Sequence, residues 1–278
     1  MNEIKNKEDY FIKHFSNSKF IGDDGAVIGK YVYSMDAFFE NIHFKREWMS
    51  LKQIASKAML VNISDAIAMN AKPKFALLSV AIPNEFSKKE LDELAKGFKK
   101  TAKKFGIEII GGDTISNNKL DISITIISKT KKPILRSGTK KGDLVCYTGN
   151  LGSVKKDLDK LLQGKRIDKK SKFIKPKLNP KFFYEVSAFI NSALDISDGL
   201  FFELERLSNT NKIGFDFFKN ISTEIGCSGE EYELLFTFNP KYLKVIKKIA
   251  NKHKIKLNIF AQATIGKYSC ECKNHHFK

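Results

Sequence analysis

The chain is predicted to be an α+β protein of two lobes, the first built on a mixed or antiparallel sheet with helices along one side. Three observations predict this. At 278 residues and 42% hydrophobic, the chain can bury a sizeable core and divides more naturally into two compact lobes than one. Its apolar runs are short and bounded, which disfavours a doubly wound parallel sheet. After residue 130 the composition shifts to KTKKPILRSGTKKGD, rich in Lys, Gly and Pro, which places a boundary near 137 and gives lobes of residues 1–137 and 138–278.

Residues 20–44 read as turn, strand and turn, with β-branched and aromatic residues running up to Asp36 at a strand end. LKQIASKAMLVNISDAIAMN, residues 51–70, carries apolar side chains at helical spacing and is followed by Pro73. FALLSVAIP has the character of a buried strand. SKKELDELAKGFKKTAKKFG is an amphipathic helix capped by Ser87 and closed by Gly106. IEIIGGDT is a strand and turn, and LDISITIISKT alternates as a half-buried strand should. The second lobe opens with the strand DLVCYTG and a Lys-rich helical stretch, SVKKDLDKLLQGKRIDKK. A helix and turn ending in SALDISDGL follow, then a helix FFELERLSN, a strand EYELLFTF, a helix KYLKVIKKIANKH and a strand KLNIFAQATIG.

Charges are scattered through the first fifteen residues and nowhere do eighteen apolar residues run together, so a soluble, unexported protein without a membrane span is expected. Four cysteines are too few and too unevenly placed for the disulfide framework of a secreted domain, which favours a reducing cytoplasm. The net charge of +18 raises a nucleic-acid binder as a candidate. The lysines, however, lie between apolar positions at helical spacing, as solvated faces do, and no nucleic-acid-binding motif accompanies them. A specific nucleic-acid partner is therefore not expected.

Neither the Walker pattern nor a GxGxxG fingerprint is present, so a nucleotide would have to be held another way. Carboxylates gripping Mg2+ ions, which in turn grip phosphates, are the natural substitute. Asp23 and Asp24 sit in a Gly-Asp-Asp-Gly turn, which leaves room for an ion but is more often no more than a turn. Asp65 lies three residues after Asn62 inside an apolar helical run, where a buried carboxylate calls for a cation nearby, an ion or a side chain. Asp113 follows an apolar strand through Gly111 and Gly112, presenting a carboxylate where backbone can approach a ligand. Asp195 and Asp198 flank Ser197 where a loop turns into a helix, and Ser197 or Asp198 is a natural N-cap.

Taken in order, GDDGAV, SMDAFFENIHF, NISDAIAMNAKP, GGDT, LRSGTKKGD, DISDGL and GEEYELLFT resemble the motif series of the thiamine-monophosphate kinase family, over nearly the whole chain. That family shares a superfamily with aminoimidazole ribonucleotide synthetase and selenophosphate synthetase. The resemblance implies two α/β lobes, with the first sheet pairing against its copy in a homodimer and the nucleotide lying between lobes near the interface. It implies ATP as co-substrate, several Mg2+ ions and thiamine monophosphate as acceptor. The product would be thiamine diphosphate, formed by direct in-line attack of the substrate's phosphate on the γ-phosphorus, with no covalent nucleophile on the enzyme.

Carried over by position, Asp24, Ser34, Asp36, Asp65, Asp113, Asp195 and Asp198 would bind metal. Gly112, Arg136 and Ser197 would contact ATP, and His43 and Glu230 the thiamine phosphate. The pattern departs from the family at Glu231, where Asp is usual, in a shorter stretch before GEEYELLFT, and at Asn274, where a substrate-stacking aromatic belongs. Cys270, Cys272, His275 and His276 fit no common zinc spacing. The alternatives are another ATP-using enzyme of the superfamily, a basic nucleic-acid-binding protein or a non-catalytic relative. A selenophosphate synthetase would want a reactive cysteine near the N-terminus, and none precedes Cys146. A non-catalytic relative is disfavoured because every expected acid is retained.

Overall fold

A computed structural model of the chain describes residues 7–15 and 17–272. After a short helix α1 (Lys7–Ile12), the first lobe runs β1 (Ala26–Ile28), β2 (Tyr31–Phe39), α2 (Leu51–Ala68), β3 (Lys72–Pro83), α3 (Lys88–Phe105), β4 (Glu108–Asn117) and β5 (Asp121–Lys129). Its sheet has the order β1-β2-β5-β3-β4, and only β3 and β4 are parallel. That follows from connectivity, since β3 and β4 are joined by the crossover helix α3. The mixed sheet predicted from the apolar runs is what forms.

Helix α2 lies on one face of this sheet and α3 packs on α2, so α2 is buried nearly all round and reads as apolar rather than striped. The two helices meet at Gly97, where a β-carbon would stand 2.5 Å from the Lys52 carbonyl oxygen and 2.7 Å from the Ala55 methyl. Ser87 and Gly106 cap α3 as predicted, the serine through a capping box with Glu90 and the glycine at φ 67°. Among the described residues no helix of the first lobe packs on the other face. There, in one register row, Met35 and Leu77 flank Thr125, and Met35, Leu77 and Ile115 are 64%, 36% and 57% exposed.

The second lobe contains β6 (Leu144–Thr148), α4 (Ser153–Leu162), α5 (Pro180–Val186), β7 (Ser192–Asp195), α6 (Leu200–Asn211), β8 (Gly214–Phe217), α7 (Thr223–Gly226), β9 (Leu234–Phe238), α8 (Leu243–Lys252) and β10 (Leu257–Thr264). Its sheet, β7-β9-β6-β10-β8, is antiparallel throughout. One hydrophobic core joins the lobes: Phe38, Ile54 and Ile63 of the first and Phe173, Phe183 and Phe236 of the second belong to the same buried cluster.

Several local expectations are corrected. SALD is the fully buried strand β7, not the end of a helix. Asp36 lies within β2, three residues before its end, and Gly112 and Asp113 lie inside β4, not in a turn after it. The N-cap of α6 is Gly199, not Ser197 or Asp198. The Lys-rich helix α4 stops at Leu162, just before Gly164 turns the chain at φ 72°. Cys227 and Cys272 are joined in a disulfide, a single bridge and not a framework, while Cys146 and Cys270 remain free. Asn274, His275 and His276 lie outside the described residues.

Candidate active site

Strand β2 turns Ser34 and Asp36 toward α2, and Asn62 ties the two elements together. The Asp36 backbone N–H donates to Asn62 Oδ1 at 2.8 Å, Ser34 Oγ donates to the Asn62 carbonyl at 3.3 Å, and Asn62 Nδ2 donates back to the Ala58 carbonyl at 3.1 Å. Asp65 follows one turn later on α2. A cation was expected beside it, but the groups that act most strongly on it are carboxylates. Burial pushes the Asp65 carboxyl well above the usual range, and Asp36, Asp195 and Asp24 push the same way.

Asp195 ends β7, buried, with Oδ2 unpartnered. It too is held well above the ordinary carboxylate range, by burial first and then by Asp24, against the pull of the Ser64 hydroxyl. Asp24 enters from the turn before β1, and its Oδ2 is likewise buried and unpartnered. Its Oδ1 accepts Nε and Nη2 of Arg136, at 3.0 and 2.5 Å, and the Arg136 backbone N–H donates to Asp23 Oδ1 at 2.6 Å. Four acids from four separate elements, Asp24, Asp36, Asp65 and Asp195, thus act on one another across the junction of the lobes.

Ser197 and Asp198 occupy the loop between β7 and α6. The Asp198 N–H donates to Oε1 of the buried Glu203 at 3.1 Å, and Arg206 bonds both Asp198 Oδ2, at 2.6 Å, and Glu203. Glu203 and Arg206 were missed from sequence, though their spacing of three on FFELERL is a readable signal for a helical pair. His43 Nδ1 accepts the Phe39 N–H at 3.0 Å, so the proton of the neutral ring sits on Nε2. The imidazole stacks on Phe38 at 5.6 Å. Glu230, at φ 56°, is pinned through its N–H to the Ser197 carbonyl at 2.5 Å, and its Oε2 pairs with Lys57 Nζ at 2.7 Å.

Glu231 lies apart from these side chains. Fully buried, it accepts the Gly152 N–H at 2.6 Å and the Ser228 hydroxyl at 2.8 Å through Oε1. Its Oε2 lies 2.7 Å from Lys172 Nζ, an ion pair without hydrogen-bond alignment. The residue that departs from the family pattern therefore anchors its loop to the start of α4.

Gly112 and Asp113 are placed elsewhere. On β4 Gly112 pairs with Leu78, where a β-carbon would collide with the β3 backbone. Asp113 pairs with Ser79 and so projects from the face of the sheet opposite Asp36 and α2, exposed, with Oδ1 accepting the Thr114 N–H at 2.9 Å.

The carboxylate set suits a hard divalent cation. Its donors are oxygens, two of them buried and unpartnered, and like charges are concentrated where burial already penalises them. Among the described residues no group of three or more His, Cys, Asp or Glu already forms a metal cage. That is compatible with Mg2+, which takes one or two protein carboxylates and completes its shell with water and phosphate oxygens.

Residues 22–130 match the family model described as AIR synthase related protein, N-terminal domain. The thiamine-monophosphate kinase of Buchnera aphidicola subsp. Schizaphis graminum is 35% identical over 270 residues, 85% of this chain and 81% of that protein. The enzyme of the same name from Bacillus subtilis is 33% identical over 227 residues, covering 76% and 70%. Among solved structures, AaThiL complexed with AMPPCP and TMP superposes over 99% of each chain with a TM-score of 0.84 at 23% identity. Thiamine monophosphate kinase from Aquifex aeolicus gives 0.82 at 22% identity, over 95% of this chain and 94% of that one. At these identities the two structures establish the fold.

Proposed function

The chain belongs to the thiamine-monophosphate kinase family, and we propose from that premise that it transfers the γ-phosphoryl group of ATP to thiamine monophosphate, releasing thiamine diphosphate and ADP. It is a kinase of thiamine diphosphate biosynthesis. The observation that carries this is the convergence of Asp24, Asp36, Asp65 and Asp195, with two buried carboxylate oxygens unpartnered, at the junction of the lobes.

Asp24, Asp36, Asp65 and Asp195, with Ser34 and Asp198, would hold Mg2+, which when bound screens the repulsion between nucleotide and acceptor phosphates. The acceptor phosphate is already nucleophilic near neutral pH, so no side chain need act as a base and transfer is direct and in-line. The chain supplies orientation. Arg136 leaves Asp24 to grip a phosphate with its planar fork, Ser197 contacts the nucleotide, and His43 and Glu230 hold the thiamine moiety, while Gly112, on β4 away from these groups, would reach a nucleotide only in a second copy's site.

A homodimer belongs to the same proposal. The uncovered sheet face, with Met35, Leu77 and Ile115 in the open, suits a second copy, and Asp113 on that face would serve a site completed across the interface. Division of the chain near residue 137 and a cytoplasmic location also belong to it. Among the described residues no helix is long and apolar enough to cross a membrane. The test is ADP release from Mg-ATP with and without thiamine monophosphate. Release that requires this acceptor supports the reading, and release independent of it points to another reaction.

A further inference from the structure

Lys57 is fully buried on α2, two turns before Asp65, and belongs to none of the metal or phosphate contacts above. An ammonium without access to water is costly unless it is paired, and among the described residues this one has a single anionic partner. Its Nζ lies 2.7 Å from Glu230 Oε2, 4.1 Å from the centre of the Phe173 ring and 5.5 Å from that of Phe38. The pair is asymmetric. Lys57 is 0% exposed while Glu230 is 24% exposed, so one carboxylate oxygen is fixed from inside the protein and the group keeps a solvent-facing side. Phe38 also stacks on His43, so the same ammonium touches the supports of both side chains assigned to the acceptor.

We propose that Lys57 is a positioning residue for the acceptor, holding the Glu230 carboxylate at a fixed orientation toward the cationic, N–H-bearing ring system of thiamine monophosphate. The proposal rests on the reading of Glu230 as a substrate contact. Glu230 sits on a strained loop, at φ 56° and with Tyr232 at φ 49°, and its backbone N–H is tied to the neighbouring Ser197 loop. Without the lysine the carboxylate would swing among rotamers and lose its preorganisation. A purely structural ion pair would stabilise the lobe junction equally for both substrates.

The experiment is steady-state kinetics on Lys57→Met, Glu230→Gln and the double variant, each with its thermal midpoint. Loss of a charge-assisted contact should raise KM for thiamine monophosphate by ~10-fold or more in either single variant, with KM for ATP within about twofold. The double variant should be no worse than the poorer single one. If Glu230→Gln raises that KM and Lys57→Met does not, or if Lys57→Met raises both KM values together, Lys57 is structural and the proposal falls. If Glu230→Gln leaves KM for thiamine monophosphate unchanged, the substrate reading of Glu230 fails first. Should Lys57→Met not fold, Lys57→Leu, which also removes the donor to Glu230, is judged by the same KM comparison.

Discussion

Asp65 ionises against both burial and three like charges, Asp36, Asp195 and Asp24, a poor arrangement for stability and a good one for capturing a cation. Asp65→Asn should cut turnover by at least ~100-fold. The same change should raise the thermal midpoint of the metal-free protein by a few degrees, about 1 kcal/mol of relieved repulsion. The sign with pH follows from the raised pKa. Unfolded, the group titrates near 3.8, and folded it titrates higher, so its favourable contribution is complete below 3.8 and is lost as pH rises through the raised value. In EDTA, the gap between Asp65→Asn and wild type should widen as pH rises above 3.8 and close under saturating Mg-ATP; calorimetry at several pH values reads this. Asp65 was legible because an acid in an apolar helical run has no cheap structural excuse. The pairing of Asp24 with Arg136 and the seating of Asp198 on Glu203 and Arg206 were not, because they arise only when residues 112, 5 and 8 positions apart in sequence close on one another.

Among the elements, α2 positions most of the site: Asn62 clamps β2, Asp65 faces the acids and Lys57 reaches Glu230. Its depth depends on the approach of α3 at Gly97. Gly97→Ala should destabilise by ~1–3 kcal/mol through overpacking, seen as a lower midpoint in denaturant, with KM for both substrates little changed. The ends of α3 were readable from its capping residues Ser87 and Gly106, and the extent of α2 to within two residues from its apolar spacing, signals that act locally. β7 was not. Its four residues are buried throughout, so no alternation marks them as a strand, and only pairing with β9 makes them one. Asp113 was misplaced for a related reason: Gly111 and Gly112 signal a turn locally, yet pairing with β3 keeps them extended within β4.

At the scale of the molecule, the two lobes share one core, and the uncovered face of the first sheet is the surface through which a second copy is proposed to act. Leu77→Glu should leave the fold intact, convert a dimer to a monomer in sedimentation equilibrium and remove most turnover, since Asp113 stands on that face. The charge of +18 lies mainly on solvated lysines and carries no comparable information about the site. The most direct test of the account is thiamine diphosphate, quantified chromatographically after incubation of the full chain with Mg-ATP and thiamine monophosphate, beside Asp65→Asn. Stoichiometric thiamine diphosphate and ADP from wild type, nearly absent in the variant, is the predicted result. A folded wild-type chain that forms no thiamine diphosphate, or a variant that forms it as fast, would contradict it.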